Sequence, residues 1–212
     1  MGLYFDQHSS WLVVGLIVNN LNKEIYILLI SGSIRLQSYN KKLIRIVDQQ
    51  FHELNIITKI IDLHLYDLPV YNGDYEDQYG IPDKAKELKT LFKTSQGLFI
   101  STPEYNGGIP PLLKNTLDWI SRKEEGEKSL ESFKGIIAGI ASASPGKNGG
   151  KRALEKLRIQ LQDLGVTVIN KQFSLKKADS AFTNEMELRH AEDQKELNKV
   201  VISLQNILQK TG

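Results

Sequence analysis

The sequence contains no cysteine in its 212 residues. Disulfide bonds, thiolate metal sites and cysteine nucleophiles are therefore excluded, and the composition suits a reducing compartment such as the cytoplasm. Histidines are also few, and none stands at the short spacing of a zinc motif: His8, His52, His64 and His190. We expect no metal site, so any redox chemistry would come from a bound organic cofactor.

An excess of charge of either sign is also missing. The 27 basic and 25 acidic side chains leave a formal net charge of +2, and no long basic run appears. Domains that bind nucleic acid usually carry a strong basic patch. We therefore expect no nucleic-acid partner.

The apolar run near the N-terminus is short. Trp11–Val18 falls far below the roughly 20 residues that a membrane-spanning helix needs. Asp6 precedes the run, no basic residue does, and no small-residue cleavage site follows, which disfavours a secretory signal. We interpret residues 1–22 as an extension, either an extra strand or disordered, and expect no membrane partner.

Strands and helices alternate from Lys23 onward. Apolar runs typical of buried parallel strands alternate with stretches whose apolar residues recur at helical spacing. The five predicted strands are Ile25–Ile30, Ile56–Leu63, Gly97–Ser101, Phe133–Ala141 and Val166–Ile169. Such β/α repeats predict one α/β domain over residues 23–212, built on a doubly wound parallel sheet.

Local signals also predict where helices begin and end. Leu65–Pro82 is rich in turn-forming residues and is predicted to be a long irregular loop. Gly165 is predicted to stop the helix before strand five. The last helix is predicted to begin at Asn184, because Glu187 would complete a capping box three residues later.

Three loops of unusual composition follow strands one, three and four. They are Ser31–Asn40, Thr102–Pro111 and Ser142–Gly150. Ligands of doubly wound sheets bind outside the carboxyl ends of the strands, near the switch in strand order. We expect the three loops to converge there.

The first of these loops has the composition of an anion site. Its serines, arginine and asparagine precede a helix, and hydroxyls, backbone N–H groups and a guanidinium suit a dianionic phosphate. A serine-rich helix cap with a solvated arginine would have the same composition, and the loop alone leaves both readings open. It carries neither a Walker A nor a G-x-G-x-x-G pattern, which disfavours an ATPase or a Rossmann dehydrogenase.

The second loop combines rigid prolines, two glycines and a tyrosine. Glycine lets the backbone approach a ligand closely, and an aromatic ring offers a flat wall to a planar ligand. By composition alone, this segment could also be an ordinary turn.

Together, the three loops resemble the NADPH-dependent FMN reductase family, which includes quinone and chromate reductases and FMN-type azoreductases. Pro103-Glu104-Tyr105-Asn106, followed by the segment Leu113–Trp119, resembles its P-E-Y-N…LKNAIDW hallmark. Ser142–Arg152 resembles its Ser-x-Ser-x-Gly-x-x-Gly-Gly-x-Arg segment. Its phosphate motif is matched by Gly32, Ser33, Arg35, Ser38 and Asn40.

The resemblance, which spans roughly residues 23–170, implies a fold and a cofactor. The fold would be flavodoxin-like, a five-stranded parallel sheet in the order 2-1-3-4-5 with helices on both faces. The cofactor would be non-covalent FMN, with NADPH or NADH as co-substrate. The implied phosphate ligands are Ser33, Arg35, Ser38 and Asn40. The residues implied to line or flank the isoalloxazine are Pro103, Glu104, Tyr105, Asn106, Gly107, Ser142, Ser144 and Gly146.

The implied function is that of an FMN-dependent NAD(P)H oxidoreductase. Hydride would pass through FMN to a small acceptor such as a quinone, an azo compound, a metal oxyanion or free flavin. No side chain need act as an obligatory acid or base, and Arg152 is the one candidate for a role in turnover. The alternatives are a flavodoxin-like electron carrier and a non-catalytic flavin-binding module.

A basic cluster stands at the start of the helix after the third loop. Cations oppose the helix dipole there, so we expect Lys147, Lys151 and Arg152 to meet an anion: a nicotinamide-dinucleotide phosphate, an anionic acceptor or an acid of a neighbouring subunit. A solvated basic turn is the alternative. Glu104 is interpreted as orienting its loop.

The sequence also carries a prediction about assembly. Trp119 lies outside the leucine stripe of its helix, so it could belong to the core or to a subunit interface. We predict a homodimer or homotetramer with the flavin near the interface.

Overall fold

The computed structural model describes residues 26–185 and 187–211. The interpretation of residues 1–22 as an extension lies outside these described residues. No helix within them is long and apolar enough to cross a membrane.

A five-stranded, all-parallel sheet forms the centre of the molecule. Its strands are β1 Tyr26–Ser31, β2 Ile57–Ile61, β3 Gly97–Thr102, β4 Ile137–Ala143 and β5 Thr167–Leu175. Their order is β2-β1-β3-β4-β5. The predicted doubly wound, flavodoxin-like sheet is therefore confirmed.

Six helices accompany the sheet in the described residues. They are α1 Tyr39–Glu53, α2 Gly73–Tyr79, α3 Asp83–Thr94, α4 Pro111–Ile120, α5 Lys151–Asp163 and α6 Ala191–Thr211. α4 begins with Pro110 as its N-cap and Pro111 as its first residue, where a missing N–H costs little. α5 ends just before Gly165, whose φ of 83° suits glycine, as predicted.

The two faces of the sheet carry separate hydrophobic cores. On one face, α1 and α6 pack against β1, β3, β4 and β5 around Phe51 and Phe99. On the other, α3, α4 and α5 pack against the same sheet around Phe92 and Phe133. Side chains on alternate positions of each strand point to opposite cores, which explains why β1 and β3 are almost continuously apolar.

The stretch Leu65–Pro82 is more regular than predicted. It contains α2, which Asn72 caps by accepting the Asp74 N–H at 2.9 Å, and which ends at Gly80 with a φ of 74°. None of the residues of α2 is buried. The prediction of a loop was wrong because a helix with no fully buried face shows no apolar periodicity.

The last helix begins at Ala191, so its predicted start at Asn184 was wrong. Instead of a capping box, Thr183 N–H donates to the backbone oxygen of Glu187 at 2.9 Å. Phe182 and Leu188 form an antiparallel bridge on either side of this turn. Pairing across the turn therefore satisfies backbone groups that the helix would otherwise have used.

The strand limits also differ from the predictions. β5 continues to Leu175 through polar residues, because Ser174 and Leu175 pair with the end of β4. β4 starts at Ile137, since Phe133 lies in a 3₁₀ turn over Glu131–Phe133. β2 is shortened to Ile57–Ile61. Pairing with a neighbouring strand therefore lengthens β5, whereas a local turn delays the start of β4.

Candidate functional site: a cleft at the carboxyl edge of the sheet

The three predicted loops meet around one cleft of about 420 Å³. Most of the predicted site residues line it: Ser33, Arg35, Ser38, Asn40, Pro103, Glu104, Tyr105 and Ser144. Its remaining lining residues, which sequence reasoning missed, are Tyr39, Ala143 and Pro145. Four other predicted residues do not line it: Asn106, Gly107, Ser142 and Gly146.

The first loop forms the end of the cleft that suits an anion. Ser38 caps α1 and accepts the Lys41 N–H at 3.4 Å, and the first turn of α1 has no acidic residue. Ser33 and Ser38 are almost fully buried, whereas Arg35 is exposed. The guanidinium is therefore open to solvent and ligand, whereas the two serines are packed into the protein.

Asn40 connects the first loop to the two central strands. Its Oδ1 accepts the Ser101 hydroxyl at 2.8 Å and the Ala143 N–H at 2.9 Å, while its Nδ2 donates to the Ala143 oxygen at 3.0 Å. The side chain is 2% exposed. Most of its hydrogen-bonding capacity is therefore used within the protein, and one N–H of the amide is left for a ligand.

The second loop folds into a tight two-residue turn. Tyr105 N–H donates to the Gly108 oxygen at 3.0 Å, and Gly108 N–H donates back to Tyr105 at 2.9 Å. Asn106 and Gly107 have φ values of 51° and 75°. An Asn-Gly pair is the favoured sequence for a turn with two positive φ angles. Tyr105 at the start of this turn lines the cleft, and Asn106 does not.

A salt bridge joins the second loop to the first turn of α5, which follows the third loop. Arg152 donates from Nε and Nη2 to Oε1 of Glu104, at 2.9 and 2.6 Å. The expectation that Arg152 needs an outside anion was wrong, because Glu104 lies 48 residues away in sequence and beside it in space. Lys147 and Lys151 remain exposed.

The other carboxylate oxygen of Glu104 takes no part in this salt bridge. Oε2 is buried and has no hydrogen-bond partner within the described residues. A buried acceptor without a donor costs about 1–3 kcal/mol. A ligand that brings an N–H or O–H donor into the cleft would remove this cost.

Two glycines let the third loop pack tightly against the strand ends. A Cβ on Gly150 would lie 2.8 Å from the Ser142 Cβ, and one on Gly149 would lie 2.6 Å from the Ser174 Oγ. Ser142 is fully buried and donates to the Gly149 oxygen at 2.6 Å. Its side chain thus shapes the loop from behind, and only Ser144 of the two predicted serines faces the cleft.

Trp119 belongs to the core of its own chain. It is fully buried, its indole N–H donates to the Pro69 oxygen at 2.7 Å, and its ring meets Tyr71 edge-on with centroids 5.1 Å apart. Of the two alternatives for Trp119, the structure therefore shows the core, and Trp119 no longer supports a subunit interface. The residues before α2 cover it.

Asn115 completes this attachment. Its Oδ1 accepts the Tyr71 N–H at 2.8 Å, and its Nδ2 donates to the Pro69 oxygen at 2.9 Å. The Tyr71 hydroxyl donates to Glu76 at 3.0 Å, and this bond, together with burial, raises the pKa of Tyr71. Two residues of the hallmark segment thus tie the β2–α2 connection to α4.

Tyr39 is the cleft residue that sequence reasoning missed most clearly. Its ring stacks on Phe182 with centroids 6.2 Å apart and an angle of 8° between the planes. Phe182 lies 143 positions further along the chain, so no local pattern marks the pair. The stack holds the Tyr39 ring beside Ser38 and Asn40.

The donors and acceptors of the cleft fit FMN. Ser33, Ser38 and the Arg35 guanidinium form a donor set suited to a terminal phosphate. Tyr105 and Pro103 offer apolar walls to a planar ring. The unpaired oxygen of Glu104 offers an acceptor. Fold and cleft together define a flavodoxin-like α/β protein with a flavin-type site.

Comparison with known proteins specifies the family. Residues 25–180 match the model of the NADPH-dependent FMN reductase family. The chain belongs to this family, and the predicted resemblance is confirmed.

Relatives and solved structures agree with this membership. The chain is 32% identical over 168 residues to an NAD(P)H-dependent FMN reductase of Pseudomonas aeruginosa, covering 76% of this chain and 83% of the relative. It is 32% identical over 187 residues to a probable NADPH:quinone oxidoreductase of Oryza sativa subsp. japonica, with coverages of 86% and 88%. The structure of FerB, a flavoenzyme NAD(P)H:(acceptor) oxidoreductase of Paracoccus denitrificans, superposes with a TM-score of 0.75 at 26% identity, covering 88% of this chain and 98% of FerB.

Proposed function

We propose that this protein is an FMN-dependent NAD(P)H oxidoreductase that passes hydride to a small acceptor. The observation that carries the proposal is the convergence of three separate loops on one cleft, with phosphate-type donors at one end and an aromatic wall with a free carboxylate oxygen at the other. Bound FMN would supply the hydride chemistry itself.

The chain's own residues would bind and orient the cofactor. Ser33, Arg35 and Ser38 would hold the phosphate, with the remaining N–H of Asn40 beside them. Pro103, Glu104 and Tyr105 would line the isoalloxazine, and Ser144 would flank it. Asn106, Gly107, Ser142 and Gly146 would act through the backbone shape of their loops. No paired acid and base is needed for such a role.

A quinone or an azo compound is the acceptor class that relatives favour. Metal oxyanions and free flavin are further candidates that an open cleft would admit. The electron-carrier alternative is less well supported, because flavodoxins usually carry an acidic surface and this chain has a net charge of +2. We expect the enzyme to work in the cytoplasm, as the absence of cysteine suggests.

The first test is whether the purified protein carries FMN. We expect a yellow protein that releases FMN on heat denaturation, and an apo form that quenches the fluorescence of added FMN at one equivalent. A colourless protein that leaves FMN fluorescence unchanged would contradict the cofactor assignment.

The second test separates an enzyme from a carrier or a binding module. Steady-state oxidation of NADPH and of NADH should depend on an added quinone and follow ping-pong kinetics. An FMN-loaded protein that oxidises neither nicotinamide with any quinone or azo acceptor would favour the carrier or binding module.

A further inference from the structure

The two oxygens of Glu104 are used unequally in the salt bridge with Arg152. Both guanidinium donors, Nε and Nη2, reach the same carboxylate oxygen, Oε1. The Arg152 side chain is 64% exposed and that of Glu104 12% exposed. The pair thus has a solvated cation on the outside and a carboxylate whose second oxygen is buried and unpaired within the described residues.

The surroundings of the pair fix its position. Gly107 lies under the guanidinium, and a Cβ there would stand 3.6 Å from the Arg152 Cζ. Gly150 lets the start of α5 pack against Ser142. A Cβ on Gly150 would lie 3.9 Å from the Glu104 Cβ. The turn at Tyr105–Gly108 and the first turn of α5 are therefore held against each other through this salt bridge.

The second oxygen of Glu104 has no other use in the described residues. It is buried without a donor, although Glu104 lines the cleft. A carboxylate that is held by one oxygen and bare at the other is prepared to accept one hydrogen bond. The isoalloxazine ring carries one such donor on its pyrimidine side, the N3–H.

We propose that Arg152 is a positioning residue that holds Glu104 so that its free oxygen accepts the N3–H of the bound flavin. Arg152 then acts through Glu104 and needs no contact with the nicotinamide or the acceptor. This inference rests on the proposed function, since it requires that FMN occupy the cleft.

Binding of N3-methylated FMN to the apoprotein tests the hydrogen bond directly. Methylation removes the donor, so the unchanged protein should bind 3-methyl-FMN about tenfold to 100-fold more weakly than FMN. Glu104→Ala should bind FMN more weakly but distinguish the two flavins by less than about threefold. Equal discrimination by Glu104→Ala and the unchanged protein would overturn the proposal.

Variants of the arginine test the positioning role. Arg152→Ala should lose most of the discrimination between FMN and 3-methyl-FMN, because its carboxylate is no longer held, and Arg152→Lys should recover part of it. Lys156→Ala removes an exposed cation one turn further along α5 and should behave like the unchanged protein. Thermal melts of the apo forms identify any variant that fails to fold.

A second readout is the midpoint potential of bound FMN. Without Arg152, the Glu104 charge near the ring is no longer neutralised, so Arg152→Ala should shift the potential to a more negative value, whereas Lys156→Ala should leave it unchanged. If Arg152→Ala kept both the discrimination and the potential, Arg152 would have no positioning role. Failure of the unchanged protein to bind FMN at all would instead overturn the proposed function.

Discussion

Asn40 shows how one buried side chain can join three segments of chain. It bonds Ser101 and both backbone groups of Ala143, which lies 103 positions away. These contacts place the first loop against the ends of β3 and β4. The Asn40 amide therefore stabilises the shape of the cleft, in addition to any contact that it makes with a ligand.

Replacing Asn40 by alanine should destabilise the protein by about 3 kcal/mol, because the Ser101 hydroxyl and the Ala143 backbone groups would be left buried without partners. Urea unfolding of the apoprotein measures this free energy. Gln49→Ala, which removes an exposed amide from the same helix, should change stability by less than about 0.5 kcal/mol. Equal stabilities of the two variants would contradict a bridging role for Asn40.

Arg35 is the exposed cation of the first loop, and we propose that it acts on the ligand rather than on the stability of the fold. Arg35→Ala should raise the Kd for FMN about tenfold to 100-fold by removing charge-assisted bonds to the phosphate, while the melting temperature of the apoprotein stays unchanged. Arg45→Ala removes an exposed arginine from α1 and serves as the control. Wild-type affinity in Arg35→Ala, measured by fluorescence titration, would place the phosphate elsewhere.

At the scale of elements, a buried ion cluster fastens the connection after α4 to α3. Lys89 of α3 is 1% exposed and donates to the Arg122 oxygen at 2.6 Å and to Glu127 at 2.8 Å. Lys93 also pairs with Glu127. The connection between α4 and β4 is held by this cluster in the absence of any strand or long helix.

The cluster gives stability a defined pH dependence. Burial opposes the ionisation of Glu127, but the Glu124 N–H, Lys89 and Lys93 outweigh it and lower the pKa of Glu127 to about 2, from 4.5. A depressed folded-state pKa contributes stability that is complete above about pH 4.5 and is lost as the pH falls toward 2.

Glu127→Gln should therefore cost about 2 kcal/mol at pH 7, and the difference from the unchanged protein should shrink between pH 4.5 and pH 2. Urea unfolding at a series of pH values measures it. Glu125→Gln, an exposed neighbour, should show no such trend. A penalty for Glu127→Gln that stayed constant down to pH 2.5 would rule out ionisation of Glu127 as its source.

At the scale of the whole molecule, three apolar side chains stand exposed in the loops that follow β1 and β2. Leu36 follows β1, while Leu65 and Val70 follow β2, and they are 93%, 69% and 83% exposed. Exposed apolar surface of this kind often marks an interface. These residues, rather than Trp119, now support the expectation of a homodimer or homotetramer.

Light scattering at working concentration should give a dimeric or tetrameric mass, because closed symmetry lets exposed apolar side chains of one chain meet those of a second copy. Combining Leu36→Glu with Val70→Glu should shift the mass toward the monomer by placing like charges in the contact. Ile159→Glu, which alters an exposed apolar residue on α5, is the control. A monomeric mass with full NADPH–quinone activity would refute the assembly.

The sequence by itself determined the topology of the sheet, the family of the protein and the position of the cleft. Alternating apolar runs and helical stripes are local patterns, and parallel connectivity brings the loops after β1, β3 and β4 to the same edge whatever the details of packing. Gly165 could be identified as a helix stop because the positive φ it adopts is a property of one residue.

Only the tertiary structure decided the partners of individual side chains. Glu104 and Arg152, Asn40 and Ala143, and Tyr39 and Phe182 are far apart in the chain, so no local pattern relates them. The surface helix α2 and the extension of β5 depend in the same way on neighbours: α2 packs Tyr75 edge-on against Trp119, with ring centroids 5.9 Å apart, and β5 is lengthened by pairing with β4. Contacts of this kind form only when the chain folds. Neither the periodicity of the apolar residues nor the residue types in the turns indicates which distant groups will meet.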